Sequence, residues 1–195
     1  MKSYLQALDL FSSPEINDLL ALGTEKRYQK GAYLIQEGQV CQEVAFVKAG
    51  IFRSYYHSST AEEVTYCLTF PDQLLAAYSS YLTGKSSLEN IQAITEAEVI
   101  RFAKAELEAF MAASPNGVQF AKLIAEQQYL EMEKRIFQLQ REPAEVRYET
   151  LLREHPEYLH QVPLQYIASY LGITQRHLSR LRRKLMKNET NVLPE

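Results

Sequence analysis

With 195 residues, 46% of them apolar and 23% charged, the chain has an ordinary globular composition and room for one large or two small domains. Its formal net charge of −3 excludes a protein that coats nucleic acid with its whole surface, so any basic patch must be local. Two isolated cysteines, Cys41 and Cys67, exclude a disulfide framework and a four-thiolate metal site; the start MKSYLQALDLF and the lack of a run of about 18 apolar residues predict a cytoplasmic protein with no membrane partner.

Residues 3–22 read as a helical lead-in broken at Ser12-Ser13-Pro14, with Ser12 or Ser13 capping a second helix and Gly23 ending it. From 24 to 102, β-branched and aromatic runs alternate with turn residues, giving expected strands at 27–29, 32–36, 44–48, 51–57, 63–70, 88–95 and 99–102. Many short strands at close spacing predict a sandwich, roll or barrel.

Helix returns at 104–112, Ser114-Pro115-Asn116-Gly117 interrupts it, and 118–141 reads as an unbroken helix of about six turns. Two apolar stripes run along it. Leu123, Leu130 and Phe137 recur every seven residues, joined by Phe120 and Ile124; Ala125, Tyr129, Met132, Ile136 and Leu139 form the other. A single packing partner needs one stripe, so one face is expected on the β-rich domain and the other on the same helix of a second copy. The expected dimer interface is Phe120, Leu123, Ile124, Leu130 and Phe137, with Gln127 and Lys134 as polar interruptions. Pro143 then ends the helix and opens another at 144–154, followed by a loop marked by His155-Pro156-Glu157 and Val162-Pro163.

The stretch 164–187, LQYIASYLGITQRHLSRLRRKLMK, has the layout of a helix-turn-helix. Gly172 permits the left-handed angle of a tight turn, Ala168 is small enough for helices to cross, and Thr174 is a cap candidate for the second helix. Between Gly172 and Lys187 lie Arg176, Arg180, Arg182, Arg183, Lys184 and Lys187, and no acid. Leu178, Leu181 and Leu185 share one face; Arg176, Arg180, Arg183 and Lys187 lie opposite, with Gln175 and Ser179 on the flank. Such groups hydrogen-bond base edges and phosphate oxygens.

These parts in this order resemble the Crp/Fnr family of bacterial transcription regulators. KGAYLIQEGQ (30–39) with VAFVKAGIFRSYY (44–56), QAITEAEVIRFAKAELEAF (92–110) and IASYLGITQRHLSRLRRKL (167–185) carry the resemblance. It implies an α+β fold: an antiparallel, jelly-roll-like β-roll over 1–112, a long dimerisation helix over 113–142 and a helix-turn-helix domain over 143–195. It further implies a homodimer that binds double-stranded DNA, with RNA polymerase and an unidentified small-molecule effector as further partners. Gln175, Arg176, His177, Ser179 and Arg180 match the family's base-reading and phosphate positions, and Arg176 and His177 depart from its best-known Glu and Thr. The eight residues after Lys187 are too few for the family's β-hairpin wing.

Cyclic AMP is not the expected effector. Family members that bind it carry a Gly-Glu pair and a phosphate-binding Arg in the segment that here spans 72–94; this segment lacks Gly-Glu and places Ser87 where the Arg would stand, with Lys85 the nearby cation. A pocket between roll and long helix would be lined by Tyr66, Tyr78, Ser79, Tyr81, Ser86, Ser87, Gln127 and Gln128, which could equally fill the space themselves. No cofactor is expected: an iron–sulfur sensor needs four cysteines, and His57 is the only histidine of the roll. An enzyme built on a cupin-like metal site is disfavoured, because His57, His155, His160 and His177 fall in regions that do not converge. Two alternatives to a DNA-reading regulator remain: a ligand-sensing or partner-binding roll with a non-reading helix-turn-helix, and a cyclic-nucleotide-responsive regulator with an atypical pocket.

Overall fold

The computed structural model describes residues 1–156 and 159–190, with side chains described to Leu185. Two short helices open the chain, α1 (Lys2–Ala7) and α2 (Ser13–Ala21). Of the two candidate caps, Ser12 is the one used: its hydroxyl accepts from Glu15 N–H, and the Glu15 carboxylate accepts in return from Ser12 N–H at 2.9 Å. Glu15 also accepts from Ser114 Oγ at 2.8 Å, so the helix start is tied to a segment 99 residues away.

Eight strands follow: β1 (Thr24–Tyr28), β2 (Tyr33–Ile35), β3 (Glu43–Ala49), β4 (Phe52–His57), β5 (Glu63–Thr69), β6 (Leu74–Leu75), β7 (Asn90–Ala93) and β8 (Ala97–Ala103). They pair antiparallel in two four-stranded sheets, β1-β8-β3-β6 and β2-β7-β4-β5. Tyr28, Val47, Phe52, Ile91 and Val99 fill the space between the sheets. Gly50 makes the β3–β4 turn with φ +86°, and a Cβ there would sit 2.3 Å from Glu96 O, so both conformation and space demand glycine. Two elements lie outside the sequence reading: β6, two residues long, and helix α3 (Tyr78–Thr83), closed by Gly84 at φ +68°. Both are too short to carry a periodic signal.

Helix α4 (Lys104–Ala113) leads into the 25-residue α5 (Gly117–Arg141), about 37 Å long at the usual rise per residue. Gly117 nestles on Met111, where a Cβ would meet the carbonyl oxygen at 1.9 Å, and Asn116 Nδ2 donates to Leu10 O at 2.6 Å. The start of α5 is thereby fixed against α1, α2 and α4. Helix α6 (Ala144–Glu154), a 3-10 turn (Leu159–Gln161), α7 (Leu164–Tyr170) and α8 (Gln175–Thr190) complete the described chain.

Elements change character at 113–117 and 141–144, yet the apolar core does not stop there. Ile51, Leu68, Phe70 and Ile94 of the roll form one buried cluster with Tyr148, Leu151, Ile167, Ala168, Leu171 and Leu178 of the C-terminal helices. His155 stacks on Phe70 across the same seam, ring centroids 4.0 Å apart.

Candidate nucleic-acid interface

The α7–α8 unit is built locally. Pro163 precedes α7, where a missing N–H costs nothing, and Gly172 turns the chain at φ +66°, with room limited by Leu139 Cδ2 at 3.3 Å from a Cβ placed there. Ile173 N–H closes the turn on Ala168 O at 3.0 Å. Thr174 Oγ1 then accepts from His177 N–H at 3.2 Å, capping α8. Leu178 and Leu181 are buried and Leu185 half-buried on the inner side; Gln175, Arg176, Arg180 and Arg183 are exposed, while His177 and Ser179 are half-buried.

Two further basic residues of α8 turn elsewhere. Lys184 Nζ pairs with the Glu145 carboxylate of α6 at 2.8 Å, and Arg182 is half-buried close enough to Tyr148 to act on its titration, although burial dominates and raises the Tyr148 pKa. Lys187 lies on α8, its side chain outside the described residues.

The C-terminal end of α7 is held by two arginines that sequence reading misses. Arg147 donates to Leu171 O from Nε and Nη2 (3.2 and 2.7 Å), and Arg135 donates to Tyr170 O while its guanidinium lies 3.8 Å from the Tyr170 ring centroid. Positive groups on the last carbonyls of a helix complement its dipole. Burial pushes the Arg135 pKa down. No local pattern signals either residue, because each reaches α7 from another helix.

The expected pocket residues are not gathered around one space. Ser79, Ser86, Gln127 and Gln128 are exposed, as is Lys85. Tyr78 and Tyr81 stack on each other with 11° between their planes, and Lys104 covers the Tyr81 ring at 4.8 Å. Tyr66 and Ser87 do meet, through Glu89: Tyr66 OH donates to the Glu89 carboxylate, and Ser87 Oγ accepts from Glu89 N–H and donates to its carbonyl. Burial raises the Glu89 pKa above the usual carboxylate range, against the lowering effect of the Tyr66 hydrogen bond. Beside the position expected for a phosphate-binding Arg there is therefore a half-buried carboxyl. Burial also raises both thiols, Cys41 and Cys67, which are free. Among the described residues no three His, Cys, Asp or Glu side chains gather in a way that could hold a metal ion, and no helix is long and apolar enough to cross a membrane.

Along α5 the two stripes do not divide as expected. Phe120, 8% exposed, sits 5.3 Å from Phe11 in a core with α1, α2 and α4, and Ile124 packs against the same cluster. Both belong to the chain's own interior rather than to a partner face, because the α4–α5 joint turns this side of the helix onto α1 and α2. Leu123 is half-buried, and Gln127 and Lys134 are exposed, Lys134 pairing with Glu154 at 3.1 Å. Leu130 and Phe137 remain 58% and 48% exposed, joined by Tyr129, Met132 and Ile136 of the other stripe.

Residues 25–114 match the family model of the cyclic nucleotide-binding domain. No curated protein matches the chain. Among solved structures, FixK2 from Bradyrhizobium japonicum superposes with a TM-score of 0.76 at 21% identity, covering 86% of each chain. A putative transcriptional regulator of the Crp/Fnr family from Eubacterium rectale gives 0.72 at 15% identity, over 95% of this chain and 88% of that one. The c-di-GMP-responsive global regulator CLP of Xanthomonas campestris gives 0.71 at 13%, over 91% and 93%. The chain therefore has the fold of the Crp/Fnr-type regulators, and its residues 25–114 are similar to the cyclic nucleotide-binding domain.

Proposed function

We propose that the chain is a homodimeric transcription regulator of the Crp/Fnr type that reads a pseudo-palindromic DNA site with α8. The observation that carries this reading is the division of α8: Arg176, Arg180 and Arg183 exposed together with Gln175, and Leu178 and Leu181 buried on the opposite side of a helix capped by Thr174. Such a helix offers bidentate donors to guanine and cations to phosphate, while its leucines hold it on α7. Arg176 and Arg180 read guanine, and Arg183 and Lys187 contact phosphate. Lys184 contributes little, its charge being offset by Glu145.

The exposed apolar side of α5 supports the dimer. Leu130 and Phe137, with Tyr129, Met132 and Ile136, make a stripe on a helix otherwise rich in charge, and a second α5 buries it. Cyclic AMP is not the effector in this reading: Ser87 stands where the resemblance puts a phosphate-binding Arg, and its hydroxyl is engaged by the Glu89 backbone.

Selection from random DNA, followed by affinity measurement on the winning site, tests the reading. Arg180→Ala should weaken binding by roughly 1–3 kcal/mol with unchanged thermal stability, and the wild type should bind less tightly as salt is raised. Selection that enriches no sequence, or an Arg180→Ala protein with undiminished affinity, would sink it.

A further inference from the structure

Strand β5 is the outer strand of its sheet, so its outward N–H and C=O groups have no neighbouring strand. A serine of α7 takes the place of one. Thr65 N–H donates to Ser169 Oγ at 2.9 Å, and the same hydroxyl donates to Glu63 O at 3.3 Å. One strand further in, Arg53 of β4 points outward from the roll and is 2% exposed. Its guanidinium lies between two rings, Tyr55 of β4 at 4.0 Å and Tyr166 of α7 at 3.7 Å. It donates to Gln92 Oε1 from Nε and Nη2, at 3.2 and 2.9 Å, and pairs with the Glu63 carboxylate at 2.6 Å.

We propose that Arg53 is a positioning residue for DNA binding: it pins α7 to the rim of the roll and so fixes the separation of the two recognition helices in the dimer. The inference rests on the DNA-reading function proposed above and names the part of the roll that governs it. Three observations carry it. A charged guanidinium is costly to bury unless its stacking and hydrogen-bonding partners stay in place, and one of them, Tyr166, belongs to α7. The far end of α7 is gripped by Arg135 and Arg147, so the helix is held at both ends and α8, packed on it through Leu171 and Leu178, follows. The seam also carries an unmet polar atom: Thr65 Oγ1 is buried with no hydrogen-bond partner, so water reaching it on lifting of α7 would offset some of the cost of separation.

The test compares wild type, Arg53→Met, Arg53→Lys and Tyr166→Leu on three DNAs: the selected palindrome, the same half-sites moved one or two base pairs apart, and a single half-site. Amide exchange at Thr65 is followed in parallel. Arg53→Met and Tyr166→Leu should each lose about tenfold in affinity for the palindrome, the size of one charged contact, keep single half-site affinity within about twofold, and tolerate altered spacing. Arg53→Lys should recover part of the loss, and Thr65 exchange should quicken in step with it. Unaltered spacing preference despite faster Thr65 exchange would overturn the proposal. So would an equal loss on palindrome and half-site together with a lowered melting temperature, which marks a merely structural residue; Tyr166→Phe, keeping the ring, then serves as the milder variant and must behave as wild type. Failure of the DNA-reading function itself is recognised separately, because the wild type then shows no preferred site.

Discussion

The outer face of α8 and the interior of the roll handle polar groups in opposite ways. On α8, Arg176, Arg180 and Arg183 are exposed, with Arg183 Nε reaching no further than Ser179 O at 3.3 Å, and their charge faces solvent. In the roll, Tyr66, Ser87 and Glu89 are turned onto one another. The contrast separates an exposed cationic face from polar groups of the roll that bond to one another. It also explains why the two halves differ in legibility: an unpaired charged face is written in local spacing, whereas a satisfied interior depends on which distant residues meet.

The largest effect would come from erasing the boundary between these regions. Leu178 is fully buried in a core that also holds Ile51 and Leu68 of the roll, so Leu178→Ala should cost about 2–5 kcal/mol. Urea unfolding followed by far-ultraviolet dichroism and tyrosine fluorescence should show one coincident, shifted transition; two separated transitions would mean that α7–α8 is an independent domain. Next in size, Phe137→Glu places a charge in the exposed α5 stripe and should raise the dimer dissociation constant at least about tenfold by sedimentation, without a matching loss of monomer fold.

A smaller effect concerns the roll interior. Because burial raises the Glu89 pKa in the folded chain, the folded state binds the proton more readily than the unfolded one. The contribution of Glu89 is therefore favourable at acid pH and falls as pH rises from the ordinary carboxylate range through the raised folded value. Glu89→Gln should remove that fall, giving urea midpoints that differ less between about pH 5 and about pH 8 than those of the wild type. The smallest effect is expected at Lys184. With its ammonium paired to Glu145 at the surface, Lys184→Ala should change both stability and DNA affinity by under about 0.5 kcal/mol, well below Arg180→Ala.

Most of the elements are legible in the sequence, for identifiable reasons. The α7–α8 unit announces itself through Gly172, Thr174 and leucines at helical spacing, all within a few residues of one another. The long helix follows from an unbroken pattern between Gly117 and Pro143. The strands emerge as β-branched runs, but β6 and α3 do not, since two and six residues cannot set a period. Spacing alone puts Phe120 and Ile124 on the wrong side of α5, because a heptad repeat is the same for an internal and an external seam; only Phe11, more than one hundred residues earlier, decides between them. Arg53 gives no signal at all in sequence. A lone arginine in a strand reads as surface, and its burial depends on Tyr166 arriving from the far end of the chain.

That the rim strand β5 is covered by α7 also bears on how the chain is made. Thr65 and Ser169 are separated by 104 positions, so at about 5–20 residues per second an emerging roll waits roughly 5–20 s for the helix that will cover it. During that interval the β5 edge offers open backbone groups beside Leu68 and Phe70, which join the shared core only when α7 docks. Helices made about one hundred residues later thus act as the cover for a sheet edge already synthesised, and a chain stopped short of residue 164 would present that edge to other chains.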